Sequence, residues 1–174
     1  MRRKGFTLVE LLVVIAIIAL LMGILMPALA RVRQLAFRLT CGTNLSGIGK
    51  AMLIYANDYE DELPRAGGRT TEWGNQMQWD APNRYDAFGL SRTDGSGGHA
   101  TVSSCLYLLV KYAEVTPKSF VCKGDAGTSE FSLSEVPGGV GSDFELIDAW
   151  DFGPSADSHM YCSYSYHVPF GLYA

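Results

Sequence analysis

The sequence predicts an α+β protein. A long N-terminal helix, apolar in its first half and amphipathic in its second, packs on a small globular head with a short helix and a small antiparallel β-sheet. Three observations predict this. Leu11 to Ala30 is an uncharged apolar run behind a basic start, Arg2-Arg3-Lys4, the pattern of a chain addressed to a membrane. Leu45, Ile48, Met52, Tyr55 and Tyr59 then recur at the spacing of one helix face. Beyond Pro64 that period stops and gives way to glycine-rich turns, one short helical pattern and an alternating stretch near the C-terminus.

The first helix is expected from Phe6 to Tyr59, about 80 Å long at about 1.5 Å per residue. Pro27 removes a backbone donor and crowds the preceding turn, and Gly23 lies one turn before it. The pair predicts a kink or a locally melted stretch between Gly23 and Pro27. Gly42, Gly47 and Gly49 each weaken the second half by roughly 1 kcal/mol relative to alanine and read as close-packing positions. Glu60-Asp61-Glu62-Leu63-Pro64 ends the helix, because acids oppose the dipole at a C-terminus and a residue before proline disfavours the α region.

Arg65 to Ala100 is rich in loops and holds Gly67-Gly68, Asp94-Gly95, Gly97-Gly98, Trp73 and Trp79. A connection this long has structure of its own or a binding role. Thr101 to Val115 reads as a short helix, with Leu106, Leu109, Val110 and Ala113 as its apolar face and Thr101 or Ser103 as its cap. Ser119 to Cys122 reads as a short strand. Cys162, Tyr164, Tyr166 and Val168, alternating with Ser163, Ser165 and His167, read as a half-buried strand.

The chain has 174 residues, enough for one modest domain plus a membrane segment, with 14 basic and 18 acidic side chains. No Lys or Arg follows Lys123, whereas eight acids do. This balance argues against nucleic-acid binding, which depends on neutralising phosphates. It suits a solvated surface.

Glu10 stands out at the edge of the apolar run. A carboxylate costs roughly 2.5–3.5 kcal/mol at the centre of a bilayer and less near its surface, so such a residue usually has a function and a partner. Gly5-Phe6-Thr7-Leu8-Val9-Glu10 resembles the processing signal of type IV prepilins and type II secretion pseudopilins. The resemblance implies that a prepilin peptidase cuts between Gly5 and Phe6 and methylates the new terminus. The leader is then residues 1–5, the membrane and filament-core helix 6–30, the amphipathic half of that helix 31–62, and a pilin-like head 63–174. Without the leader, 11 basic residues face 18 acidic ones, a net charge of −7. The resemblance also implies that the helix can loosen at Pro27 during assembly. Cys41-Gly42-Thr43-Asn44-Leu45, Tyr55-Ala56-Asn57-Asp58, Leu63-Pro64, Phe120-Val121-Cys122 with Asp125, and Ser163-Tyr164-Ser165-Tyr166 resemble a branch of bacterial pseudopilin-like proteins related to the major pseudopilin. Two rival readings of the N-terminus are an ordinary signal peptide cut after Ala28-Leu29-Ala30 and an uncleaved signal anchor.

No catalytic constellation is evident, and the chain reads as a structural subunit rather than an enzyme. His99, His159 and His167 lack a neighbouring nucleophile, and no phosphate-binding loop or zinc-protease motif occurs. Cys41, Cys105, Cys122 and Cys162 lie outside the cytoplasm on this reading, where disulfides persist, and four cysteines allow three connectivities. Cys122 is the expected partner in at least one bridge. A zinc set of His159, Cys162, Cys105 and Cys122 lacks the tight cysteine pairing of structural sites. Asp143, Glu145, Asp148 and Asp151 share one loop with Asp157 nearby and are candidate calcium ligands, since calcium takes six to eight oxygens in irregular geometry. Trp73, Trp79 and Trp150 offer a glycan- or partner-binding surface, against core packing as their ordinary fate.

The expected function is a subunit of a type II secretion pseudopilus or type IV pilus-like filament, polymerised through its helix. The resemblance implies as partners further copies of the chain, the prepilin peptidase, an inner-membrane assembly platform, other pseudopilins and the membrane. Phe6 and Glu10 are the expected assembly residues: the Phe6 amine of one subunit would meet Glu10 of the preceding one, while an isolated subunit leaves that carboxylate poorly paired. The positive-inside bias keeps the N-terminus in the cytoplasm and sends the head to the periplasm, although Arg31, Arg33 and Arg38 at the far end weaken that bias. The alternatives are a minor tip or initiator pseudopilin and a membrane-anchored glycan-binding protein.

Overall fold

The computed structural model describes residues 7–68, 70–74, 77–136, 139–154 and 156–165. Helix α1 is Leu8–Asp58, β1 is Glu72–Trp73, α2 is Arg84–Phe88, β2 is His99–Ala100 and α3 is Val102–Tyr112. Three 3-10 turns follow at Pro117–Phe120, Leu133–Glu135 and Ser158–Tyr161. The chain divides into two compact units, Met1–Leu39 and Thr40–Ala174, so the C-terminal part of α1 belongs with the head.

In the first unit α1 is helical without a break, and Pro27 lies inside it. The N–H missing at Pro27 is the one that would bond the Gly23 carbonyl four residues back. The melting expected between these two residues is therefore not found in the subunit, whose remaining helical hydrogen bonds carry α1 through.

The second unit buries the stripe Ile48, Ala51 and Tyr55 of α1. The inward face is rotated from the expected one: Leu45 is 51% exposed, while Ala51 is buried. Cys41 and Asn44, partly buried, continue the stripe at the same helical spacing. Cys41 forms a disulfide with Cys122 across 81 residues, with Cα atoms 5.4 Å apart. The Asn44 amide donates to the Val121 carbonyl at 3.4 Å. Of the expected partners, Cys122 is bonded as anticipated, and Cys105 and Cys162 are free thiols. A Cβ added at Gly42, Gly47 or Gly49 would meet nothing within 4 Å, so close packing inside the subunit does not account for these glycines.

Helix α3 is the centre of the head, with Ser103 to Val110 buried on every face. Thr101 is its N-cap: the Thr101 hydroxyl accepts from the Ser104 N–H, and the Ser104 hydroxyl accepts from the Thr101 N–H, both at 3.0 Å. Around the helix, aromatic rings meet edge to face, a preferred geometry for their quadrupoles. Phe152 contacts Tyr107 at 4.9 Å, Phe120 at 5.2 Å and Phe131 at 6.0 Å.

The sheet is parallel, not antiparallel: Glu72 pairs with His99 and Trp73 with Ala100. The connection between the strands holds α2 and the glycine turns, and a crossover of a dozen or more residues is what parallel pairing needs. Glycine is required here. A Cβ at Gly68 would stand 2.3 Å from the Gly95 carbonyl oxygen, and one at Gly98 would stand 2.4 Å from that of Phe88. The expected strand at Ser119–Cys122 is instead the turn Pro117–Phe120 followed by extended Val121, because Pro117 starts a 3-10 helix. Cys162 is extended but is in no strand among the described residues, and Tyr166, His167 and Val168 lie outside them.

Asp151 ties three segments of the head together and is fully buried. Its Oδ2 accepts from the Thr101 hydroxyl at 2.5 Å and the Ser103 hydroxyl at 3.1 Å. Its Oδ1 accepts from the Phe152 N–H at 2.8 Å, and the Ser103 and Ser158 hydroxyl oxygens lie in hydrogen-bond contact at 2.9 Å. Burial pushes the Asp151 carboxyl up to about 6, with the hydrogen bonds opposing part of that rise.

Two outcomes are expected. Thiol counting on the denatured, unreduced chain gives two free thiols, Cys105 and Cys162. Cys122→Ser lowers stability by about 2–4 kcal/mol, measured by denaturant unfolding in detergent. The second concerns pH. A carboxyl raised on folding binds its proton more tightly in the native state, so its contribution is fully present below the unfolded pKa of about 3.9 and is lost as pH rises through about 6. The loss is on the order of 3 kcal/mol. Asp151→Asn flattens the stability profile across this window. Asp86, Asp94 and Asp125, held below the usual range by hydrogen bonds, act oppositely and at more acid pH.

Candidate membrane and assembly site at the N-terminus

Among the described residues the N-terminal site begins at Thr7; Gly5 and Phe6 lie outside them. Thr7 and Glu10 form a reciprocal cap on α1. One Glu10 carboxylate oxygen accepts from the Thr7 N–H at 2.8 Å and from the Thr7 hydroxyl at 2.7 Å. The Glu10 N–H donates to the Thr7 hydroxyl oxygen at 3.3 Å. This is the capping-box arrangement, readable in the sequence as Thr-x-x-Glu. It corrects the expectation of a poorly paired carboxylate: in the subunit Glu10 holds two donors of its own helix end, where a negative charge also complements the dipole.

Behind the cap, the side chains from Leu8 to Ala36 are exposed all round the helix, Leu8 at 78% and Ile24 at 67%. The segment is long and apolar enough to cross a membrane, and its most apolar stretch is not buried at all. Fully burying one Leu or Ile side chain gains about 1.5–3 kcal/mol. A few such residues therefore offset the cost of Glu10 near a bilayer surface.

The structure does not bring the candidate calcium ligands together. Asp151 points into the core, Asp148 accepts from the Glu145 N–H at 2.9 Å, and Asp143 accepts from the Ser142 hydroxyl at 3.1 Å. Among the described residues, no three His, Cys, Asp or Glu side chains are placed to hold a metal ion. Sequence proximity failed here because Asp151 answers to Thr101 and Ser103, some fifty positions away, and no local pattern announces that pairing. The zinc set is likewise dispersed: Cys122 is in the disulfide, and the Cys105 sulfur accepts from the Ala66 N–H at 3.3 Å. Burial pushes the Cys105 and Cys162 thiols up to about 11, which leaves little thiolate at neutral pH. His99 lies 3.9 Å from the exposed Glu72 carboxylate, His159 is in the 3-10 turn Ser158–Tyr161, and His167 lies outside the described residues.

The tryptophans do not form a platform. Trp150 is buried, its ring N–H donating to the Ala81 carbonyl at 2.9 Å. Trp79 is wedged edge to face between Phe131 and Phe144. Trp73 is the exposed member of the three, at 46%.

A family model described as the prokaryotic N-terminal methylation motif matches residues 1–26. No curated protein and no solved structure matches the chain. The match covers the leader, the Thr7–Glu10 cap and most of the apolar run, and leaves the head without a counterpart. This motif is the type IV prepilin-like signal: it indicates a pilin-like precursor processed by prepilin peptidase and fits the prepilin and pseudopilin family.

Proposed function

We propose that the mature chain, beginning at Phe6, is a structural subunit of a type II secretion pseudopilus or a type IV pilus-like filament, and not an enzyme. The observation that carries this reading is the exposed apolar half of α1, most of which lies within the methylation motif. Such a surface must be covered by lipid before assembly and by sister helices after it. The bilayer supplies the first cover, since the 25 residues from Phe6 to Ala30 suffice for an apolar core of about 30 Å. The head then stands on the periplasmic side. The core placement of Trp79 and Trp150 supports this reading over the glycan-binding alternative, because neither ring is left free to stack on a sugar, and Trp73 is the one exposed member of the three.

Glu10 takes two roles in turn. Within the subunit it caps α1 through Thr7. Cleavage after Gly5 would leave a positive amine on Phe6, and in a growing filament the amine of an incoming subunit would meet Glu10 of the preceding one. Shielded from water, that attraction exceeds its surface value. The exchange of a local cap for an inter-subunit charge pair would set the axial register.

Mass spectrometry of the protein from its native membrane is expected to show a chain starting at Phe6 and N-methylated; a chain starting at Arg31 would refute the reading. Glu10→Ala loses the cap, at a cost of about 1 kcal/mol, and remains processed and membrane-resident. It forms no filaments by electron microscopy. Glu10→Gln retains an acceptor for Thr7 yet lacks the charge, and it also fails to assemble. Normal filaments from Glu10→Gln alone would show that capping, not charge, is what assembly requires.

A further inference from the structure

Two features of α1 remain unanswered within the subunit. Between Glu10 and Asp58 the helix carries no acid, and its first bases are Arg31, Arg33 and Arg38. Arg33 lies over the Phe37 ring at 5.4 Å. Arg31 and Arg38, seven residues apart and hence on one face, are exposed and meet no carboxylate among the described residues. At the other end, the last turn of α1 has no basic residue to complement its dipole, and acids crowd it instead.

That C-terminal end opens on a cavity of about 300 Å3 in the second unit, lined by Tyr55, Asp58, Tyr59, Glu60, Glu62 and Arg84 among others. The Tyr55 and Tyr59 rings stack at 4.3 Å, and Tyr59 remains 38% exposed. Arg84 is turned to backbone, its guanidinium donating to the Gly67 carbonyl at 3.1 Å and the Arg65 carbonyl at 3.4 Å. Glu62 pairs with Arg65 at 3.3 Å. Asp58 and Glu60 are left without a cation among the described residues. The cavity, which Arg65 also lines, thus presents two carboxylates without a cationic partner among the described residues, Asp58 accepting the Asn57 amide at 3.3 Å, together with the negative end of a helix dipole and a tyrosine face, which suit a planar guanidinium.

We propose that this cavity receives Arg31 or Arg38 from a second copy of the chain, so that each subunit seats the arginine stripe of one neighbour in the pocket at the end of its own helix. The inference rests on the filament reading. It adds which surface of the head meets which stretch of the neighbouring helix. Charge complementarity selects a second copy as the occupant: the same chain carries Arg31 and Arg38 without a carboxylate, beside an exposed apolar helix, and Asp58 and Glu60 without a cation, among the described residues.

Charge reversal in the full chain tests it. Arg31→Glu with Arg38→Glu, and separately Asp58→Lys with Glu60→Lys, are each expected to cut filament yield at least tenfold, and the chain carrying all four changes to recover it. All four positions are exposed, and retention of the Cys41–Cys122 bridge checks folding. An independent readout uses Arg31→Lys with Arg38→Lys, which keeps both charges. Carbodiimide treatment of its filaments should join position 31 or 38 of one copy to Asp58 or Glu60 of another, identified by mass spectrometry. Unchanged yield in either reversed pair, failure of the fourfold variant to recover, or absence of that cross-link overturns the pocket assignment and leaves the filament reading standing. Absence of filaments from the wild-type chain overturns both.

Discussion

The side chains from Leu8 to Ala36 are apolar on nearly every face and exposed on all of them, and no described part of the chain covers them. The rest of the molecule is arranged around this constraint. A soluble helix has one apolar stripe and one polar face. Here that division appears only after Arg38, where the helix begins to bury Ile48, Ala51 and Tyr55. The first unit therefore depends on surroundings that the chain does not itself supply, whereas the second makes its own core.

The head achieves this core with little sheet. Among the described residues its two strands are two residues each, so backbone pairing there contributes little cohesion. A helix buried from Ser103 to Val110, an edge-to-face aromatic cluster around Phe152 and a buried carboxylate form the core instead. Asp151 has the larger structural reach, since it joins the cap of α3, the Trp150–Phe152 segment and the last 3-10 turn. Its cost is desolvation of a charge without a cationic partner, expressed as a raised pKa. The Cys41–Cys122 bridge complements this by fixing the C-terminal part of α1 to the segment after Pro117–Phe120.

The two ends of α1 have opposite electrostatic histories. At the N-terminus a local acid, Glu10, satisfies the first backbone donors through Thr7. At the C-terminus the sequence places acids where a base would be favourable, and turns Glu60 and Asp61 into the left-handed region with φ of 53° and 62°. Glycine is the usual residue for such a bend. The charges at these positions are thus not the ones that would best stabilise an isolated helix.

By itself the sequence determined the elements whose signal is local. Gly5 to Glu10 with its apolar run, the Thr101 cap of α3 and the helical spacing past Gly42 could each be read within a few residues, because capping, hydropathy and periodicity act at that range. The Thr7–Glu10 box has a local mark too, Thr-x-x-Glu, which a reading of Glu10 as a filament residue passes over. Only the tertiary structure decided what depends on partners distant in the chain. It turned the α1 face from Leu45 to Ala51, made the strand pair parallel, and chose Cys41 for Cys122. It also withdrew Asp151 from its acidic neighbours into contact with Thr101 and Ser103. The physical reason is common to all four. Register, pairing and burial are settled by which surfaces exclude water together, and residues fifty or eighty positions apart carry no local mark of that choice.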